Sequence, residues 1–174
     1  MIEKHFGNGE KLGVKIEYVR ENTPLGTAGA LNLLTPIPNL PFVVTNGDVI
    51  TDIQYGAMLD FHERQNAVGT MAIRLYEWEN PYGVVVTEGN EIIGYEEKPI
   101  TRSSINAGIY ILEPRSLNFI KKSEPCDMPL LFEKLRDSSL KVSAYPMHEH
   151  WLDIGRPEDF KEAGVISNRL INKK

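Results

Sequence analysis

Cysteine, long apolar runs and clustered positive charge are all scarce in this chain, and each scarcity closes off a class of function. The single cysteine, Cys126, lies between Pro125 and Asp127. No internal disulfide can form, and a lone thiol in that setting reads as a structural residue of a reducing compartment. No apolar run approaches the ~20 residues a membrane-spanning helix needs, and the opening Met1-Ile2-Glu3-Lys4-His5 is not a signal peptide. A soluble, cytoplasmic protein is expected. The 19 Lys and Arg against 24 Asp and Glu leave a net charge of −5 with no basic cluster, so no nucleic-acid and no membrane partner is expected. His5, His62, His148 and His150 do not fall at zinc-ligand spacing. A Gly-x-Ser-x-Gly motif is also absent, and a Ser/His/Asp hydrolase has no support.

What the chain does have is material for one domain with a sizeable core: 174 residues, 41% apolar and 25% charged. Residues 14–19 alternate Val14, Ile16 and Tyr18 with Lys15 and Glu17, the period of a strand with one buried face. Gly26 and Thr27 open a small-residue helix through Ala28, Ala30, Leu31 and Leu34, which Pro36, Pro38 and Pro41 end. Residues 42–45 are nearly all apolar, as for a strand buried on both faces of a parallel sheet. A helix over 55–65, with Met58, Leu59 and His62 on one face, precedes a strand over 68–75. The texture then turns β-rich at 83–87, 91–96 and 105–112, with Glu88-Gly89-Asn90 as a tight antiparallel connection. Asp127 caps a helix running to Arg136 with Pro129 in its first turn. Residues 140–147 form a strand, and Arg156-Pro157-Glu158-Asp159 starts a closing helix to about Leu170. No repeat, low-complexity tract or linker interrupts the chain, so residues 1–174 read as a single domain with a mixed sheet.

Four stretches carry chemistry. Asn46-Gly47-Asp48 follows the strand at 42–45, and open α/β sheets bind ligands at the carboxyl ends of their strands. A carboxylate there suits Mg²⁺, although Asn-Gly-Asp is also ordinary turn chemistry. Trp151-Leu152-Asp153-Ile154-Gly155 adds a second carboxylate and a glycine that admits close backbone approach; equally, it could be a connecting loop with Trp151 in the core. Glu96-Glu97-Lys98-Pro99 places a lysine at the end of a β run, a point charge suited to phosphate, beside a glutamate able to accept from sugar hydroxyls. A solvated charged turn is the alternative. Leu25-Gly26-Thr27-Ala28-Gly29-Ala30-Leu31 sets small residues and free amides at a helix start, open to a flat base or an anion or simply to close packing of two elements.

Taken together and in order, these stretches resemble the sugar-1-phosphate nucleotidyltransferases, the enzymes that make nucleotide sugars, from about Phe6 to Phe160. Pro81-Tyr82-Gly83-Val84-Val85 and Asn106-Ala107-Gly108-Ile109-Tyr110 fall where that family has its sugar-contacting glycine and polar sugar contact. The resemblance implies an α/β, Rossmann-like nucleotide-diphospho-sugar transferase fold, its mixed, mostly parallel sheet covered by helices on both faces. It implies an NTP and a sugar 1-phosphate as substrates, GTP with a mannose-like sugar foremost, and Mg²⁺ held by Asp48 and Asp153. By the same carry-over Lys98 and Asp48 are catalytic and Lys98 meets the sugar's phosphate, so Lys98 is expected to point into the cleft of the two aspartates and not to be a surface charge. Glu97 and Asn106 take the hydroxyls, the Gly83 backbone takes the ring, and Gly26 and Thr27 line the nucleobase pocket.

The family opens with a Gly-rich loop carrying an Arg, followed shortly by a Lys, and neither is in this sequence. On the resemblance, residues 1–174 are the C-terminal part of one nucleotidyltransferase domain, N-terminally truncated by two βα units, on the order of 60 residues. Such a chain is expected not to turn over alone, and to cover apolar sheet surface beside residues 42–45 by self-association. Two rivals stand beside this reading. One is a non-catalytic nucleotide-sugar-binding protein that regulates or assembles with a partner. The other is a glycosyltransferase, against which stands the lack of any Asp-x-Asp motif.

Overall fold

The computed structural model describes residues 1–155 together with Asp159, Ala163 and Gly164, so the helix expected from Arg156 lies largely outside the described residues. In chain order the elements are α1 (Ile2–Phe6), α2 (Gly26–Gly29), β1 (Phe42–Thr45), β2 (Val49–Thr51), α3 (Tyr55–Gln65), β3 (Gly69–Glu79), β4 (Val84–Glu88), β5 (Glu91–Glu96), β6 (Ile100–Leu112), α4 (Met128–Asp137), β7 (Val142–Pro146) and β8 (Trp151–Asp153). Short 3₁₀ turns lie at Glu10–Leu12, Ala30–Leu33 and Pro114–Phe119. None of the described helices is long and apolar enough to cross a membrane. The packing divides into two compact units, Met1–Phe42 with Ala67–Gly69 and Leu112–Val142, and Val43–Asn66 with Thr70–Ile111 and Ser143–Lys174.

In the first unit, the alternation over 14–19 does not make a strand. Ile16 and Tyr18 are half-buried between exposed neighbours, as the period requires. The amides of Val14 and Ile16, however, donate to the carbonyls of Gly9 (3.2 Å) and Asn8 (2.8 Å). The Tyr18 hydroxyl donates to Gly7 C=O at 2.7 Å. A period of two needs only one buried face, whereas a strand needs a ladder partner, and here the segment folds back on its own loop. The helix at Gly26 starts as expected but makes one α turn before tightening into the 3₁₀ turn, and Leu34 is already extended.

Helix α4 buries Met128, Leu131, Phe132 and Leu135, the i, i+3, i+4, i+7 stripe of an amphipathic helix. Asp127 holds its N-cap position without bonding its amides. Instead Asp127 Oδ1 accepts from the Thr27 amide at 3.0 Å, and the Thr27 hydroxyl accepts from Met128 N–H at 2.8 Å. Each segment thus satisfies the start of the other, where orphan amides need partners.

The main sheet, most of whose residues lie in the second unit, has the strand order β1-β6-β3-β7. Hydrogen bonds from Glu113 N–H to Val68 C=O and from Asn80 N–H to Pro99 C=O make β3 and β6 antiparallel. Those from Val68 N–H to Lys141 C=O and from Met147 N–H to Ile73 C=O make β3 and β7 parallel. The sheet is mixed. Its core gathers Ile53, Met58, Ala72, Ala107, Ile109, Ile111 and Met147. Helix α3 has the bounds its periodicity predicts, and His62 is buried on its inner face with Nδ1 2.7 Å from Thr70 Oγ1. Strand β1 departs from expectation: it is only half-buried, because among the described residues it is one of the two edge strands of the sheet. The tight connection at Gly89 holds, with φ +58° and β4 antiparallel to β5. Strand β8, read from sequence only as a segment with a carboxylate, pairs antiparallel with β2.

Candidate functional site

A bend in β6 brings Asp48 and Asp153 together. Gly108 sits there at φ +72°, a conformation that costs little only without a side chain. The space around it is taken, since a Cβ would lie 2.9 Å from Asn46 Nδ2 and 3.2 Å from Val49 Cγ2. Gly108 C=O accepts from Asn46 N–H at 2.8 Å, and Ala107 C=O accepts from the Trp151 indole N–H at 2.8 Å. Asn46 precedes Asp48 by two residues and Trp151 precedes Asp153 by two. Anchoring both segments on adjacent carbonyls of one strand therefore sets the two aspartates side by side. The β2–β8 ladder completes the arrangement, with Val49 opposite Asp153 and Ile154 N–H donating to Asp48 C=O at 2.9 Å. Arg74 steadies the approach to β8, donating to Glu149 C=O at 2.7 Å and lying 6.0 Å from the centre of the Trp151 ring.

No Lys or Arg pairs with either carboxylate among the described residues. Asp153 consequently holds its proton above the ordinary aspartate range, first through partial desolvation and then through the nearby charges of Asp48 and Asp159. Two like charges without a counter-ion favour a divalent cation. Among the described residues no group of three or more His, Cys, Asp or Glu could hold a metal ion. Two carboxylate donors are chemically suited to a hard ion such as Mg²⁺, which keeps waters and takes phosphate oxygens.

Glu97 and Gly83 also meet: a Cβ at position 83 would lie 3.1 Å from Glu97 Oε2. The bond from Asn80 N–H to Pro99 C=O, 3.0 Å, ties their two connections together. Lys98 has φ +45°, a left-handed conformation that costs a non-glycine residue about 1–3 kcal/mol and clusters at functional sites. Lys98 is exposed, which corrects the expectation that it is not a surface charge. With no carboxylate pairing it, withdrawing its ammonium from water would be costly. Asn106 opens the β6 bend, its Oδ1 accepting from Gly108 N–H at 3.0 Å and its Nδ2 donating to the Tyr110 hydroxyl oxygen at 2.7 Å. Gly26 and Thr27 belong to the first unit. There Gly26 is pressed against Cys126 and Asp127, and the Thr27 amide and hydroxyl are both engaged with α4, the close-packing arrangement.

Residues 1–168 match the family model described as nucleotidyl transferase. The chain belongs to the nucleotidyl transferase family. A mannose-1-phosphate guanylyltransferase catalytic subunit beta from Dictyostelium discoideum is 35% identical, over 95% of this chain and 48% of its own length. A UTP–glucose-1-phosphate uridylyltransferase from Synechocystis is 34% identical, over 98% of this chain and 50% of its own. The chain spans about half the length of the curated relatives it matches. Among solved structures, HddC from Yersinia pseudotuberculosis superposes with a TM-score of 0.67 at 23% identity, covering 93% of this chain and 71% of HddC. At that identity the likeness speaks for the fold, the α/β nucleotide-diphospho-sugar transferase fold that the motifs imply.

In this family member, the residues that assemble the site rather than line it were not legible as such in the sequence: Gly108, Trp151 as an anchor, Arg74 and Tyr110. Gly108 had a signal, since a glycine inside a strand marks a bulge or a close approach. The bond from Trp151 to Ala107 joins residues 44 apart and leaves no local trace.

Proposed function

We propose that this nucleotidyl transferase joins an NTP and a sugar 1-phosphate, GTP and a mannose-like sugar foremost, giving a nucleotide-diphosphate sugar and pyrophosphate. The observation that carries this reading is the pair Asp48 and Asp153, fixed side by side on the β6 bend without a cationic partner among the described residues. Mg²⁺ held there would neutralise phosphate charge. Lys98, exposed beside β5, takes the phosphate of the sugar 1-phosphate. Glu97 over the Gly83 backbone, and Asn106, take the sugar hydroxyls. A phosphate oxygen of the sugar 1-phosphate attacks the α-phosphorus of the NTP, and pyrophosphate leaves. Both reactants are already anionic and no covalent intermediate is needed, so the side chains contribute alignment and charge neutralisation. The nucleobase is proposed to lie at Gly26 and Thr27, as the resemblance implies. The mannose-1-phosphate guanylyltransferase relative supports the choice of base and sugar.

Calorimetric titration tests the reading. Lys98→Ala should weaken mannose 1-phosphate by about tenfold or more, the scale of a charge-assisted contact, and leave GTP unchanged. Asp48→Asn should abolish the Mg²⁺ dependence while the fold persists. Unaltered sugar 1-phosphate affinity in Lys98→Ala would show the reading to be wrong.

A further inference from the structure

Asn106 and Tyr110 are four residues apart on one strand, where regular geometry would separate them by about 13 Å. Their side chains nevertheless meet at 2.7 Å, because Gly108 between them, at φ +72°, folds the strand back. The orientation of the Asn106 carboxamide then follows from the inventory of donors. Gly108 N–H can only donate, so the atom 3.0 Å from it is the oxygen Oδ1. Nδ2 is thereby turned to Tyr110, whose hydroxyl oxygen accepts. A flipped amide would set two donors face to face at Gly108 and lose the bond there. Tyr110 itself is buried, so its ring cannot swing away without opening the core. Its hydroxyl ionises above the usual phenol range, chiefly because burial penalises the charge, and it stays neutral near pH 7.

We propose that Tyr110 is a positioning residue of the sugar-phosphate site: its hydroxyl oxygen locks the Asn106 carboxamide so that one N–H and one oxygen lone pair remain for the hydroxyls of the bound sugar. Of the four hydrogen bonds a carboxamide can make, two are committed within the strand. The remaining donor and acceptor, held in one plane, match a hydroxyl that accepts from one and donates to the other. An amide held at Gly108 alone could pivot about that one bond, and would read the sugar less strictly. This inference rests on the reading of Asn106 as a sugar contact.

The test uses the full chain with mannose 1-phosphate, glucose 1-phosphate and inorganic phosphate as probes. In ¹⁵N spectra the two Asn106 side-chain amide protons should differ in exchange rate, and Tyr110→Phe should erase the difference. In titrations Tyr110→Phe should weaken the preferred sugar 1-phosphate roughly three- to tenfold, the scale of one neutral hydrogen bond, and narrow the gap between the two sugars. Inorganic phosphate should bind as before, which a general loosening of the fold would not predict. Asn106→Ala should have a similar effect, with Tyr110→Phe adding nothing on top of it. If Tyr110→Phe still weakens binding in the Asn106→Ala background, or is silent where Asn106→Ala is not, the positioning role is overturned and the sugar contact stands. If Asn106→Ala changes nothing, or no sugar 1-phosphate binds, the sugar-contact reading fails and takes this inference with it.

Discussion

At the scale of single residues, the site is governed by charges left without partners. Asp153 protonates more readily than an ordinary aspartate because burial and the Asp48 and Asp159 charges disfavour its ionised form. An acid whose folded pKa is raised adds stability below its unfolded value, about 3.9 for aspartate, and that contribution is lost as pH rises through the raised folded value. The cation-free chain should therefore carry the ionised pair as a liability at neutral pH. Asp153→Asn is expected to raise the cation-free melting temperature by about one or two degrees, to flatten its acid-to-neutral pH dependence, and to remove the stabilisation Mg²⁺ provides. Thermal scans at mildly acidic and neutral pH, with and without Mg²⁺, measure all three; a lower Tm for the cation-free variant would count against the like-charge account. Lys98 belongs to the same scale. Its residue type and motif were legible in sequence, whereas its positive φ and exposure were set by how the chain leaves β5.

At the scale of elements, two joints matter. The first is the β6 bend. Gly108→Ala would place a side chain at φ +72° and 2.9 Å from Asn46 Nδ2, which should cost about 2–4 kcal/mol from backbone strain and overpacking together. Because the loop at 46–48 hangs on that point, Mg²⁺-induced stabilisation should fall as well. Denaturant unfolding, repeated with Mg²⁺, reads both effects, and a loss of stability with an unchanged Mg²⁺ response would uncouple the bend from the aspartates. The second joint is the exchange of caps between Thr27 and Asp127. Thr27→Val keeps the shape but leaves Met128 N–H without its acceptor, so the chain should lose about 1 kcal/mol, as for other helix caps. An unchanged unfolding midpoint would mean that water serves as well. Asp127 was legible as the start of α4 by position, but its carboxylate serves α2, since Thr27 supplies the cap from 101 residues away.

At the scale of the whole molecule, the apolar surface left at β1 is the feature to explain. That strand is one of the two edge strands of the sheet among the described residues and is half-buried, and edge strands with free ladder groups tend to find partners. The chain is expected to self-associate in solution, with its sedimentation coefficient rising over the micromolar range. A coefficient independent of concentration would defeat that expectation. A thermal-shift panel of GDP-, UDP-, CDP- and dTDP-sugars addresses ligand choice at the same scale, because a ligand at 100 times its Kd stabilises the fold by about 2.7 kcal/mol. GDP-mannose is expected to give the largest shift.

The local grammar of the chain determined much by itself: the bounds of α3 from apolar spacing, the β4–β5 connection from Glu88-Gly89-Asn90, the end of the segment at 26–34 from its prolines, and the family from four ordered motifs. Only the tertiary structure decided that residues 14–19 are not a strand, that residues 151–153 are one, that β1 is half-exposed, and that Asp48 and Asp153 stand side by side. The division has one cause. Periodicity and turn chemistry report the preferences of a few consecutive residues, whereas a strand needs a ladder partner and a site needs convergent side chains. Those are supplied by bonds such as Trp151 to Ala107, formed across 44 residues, which no short window of sequence contains.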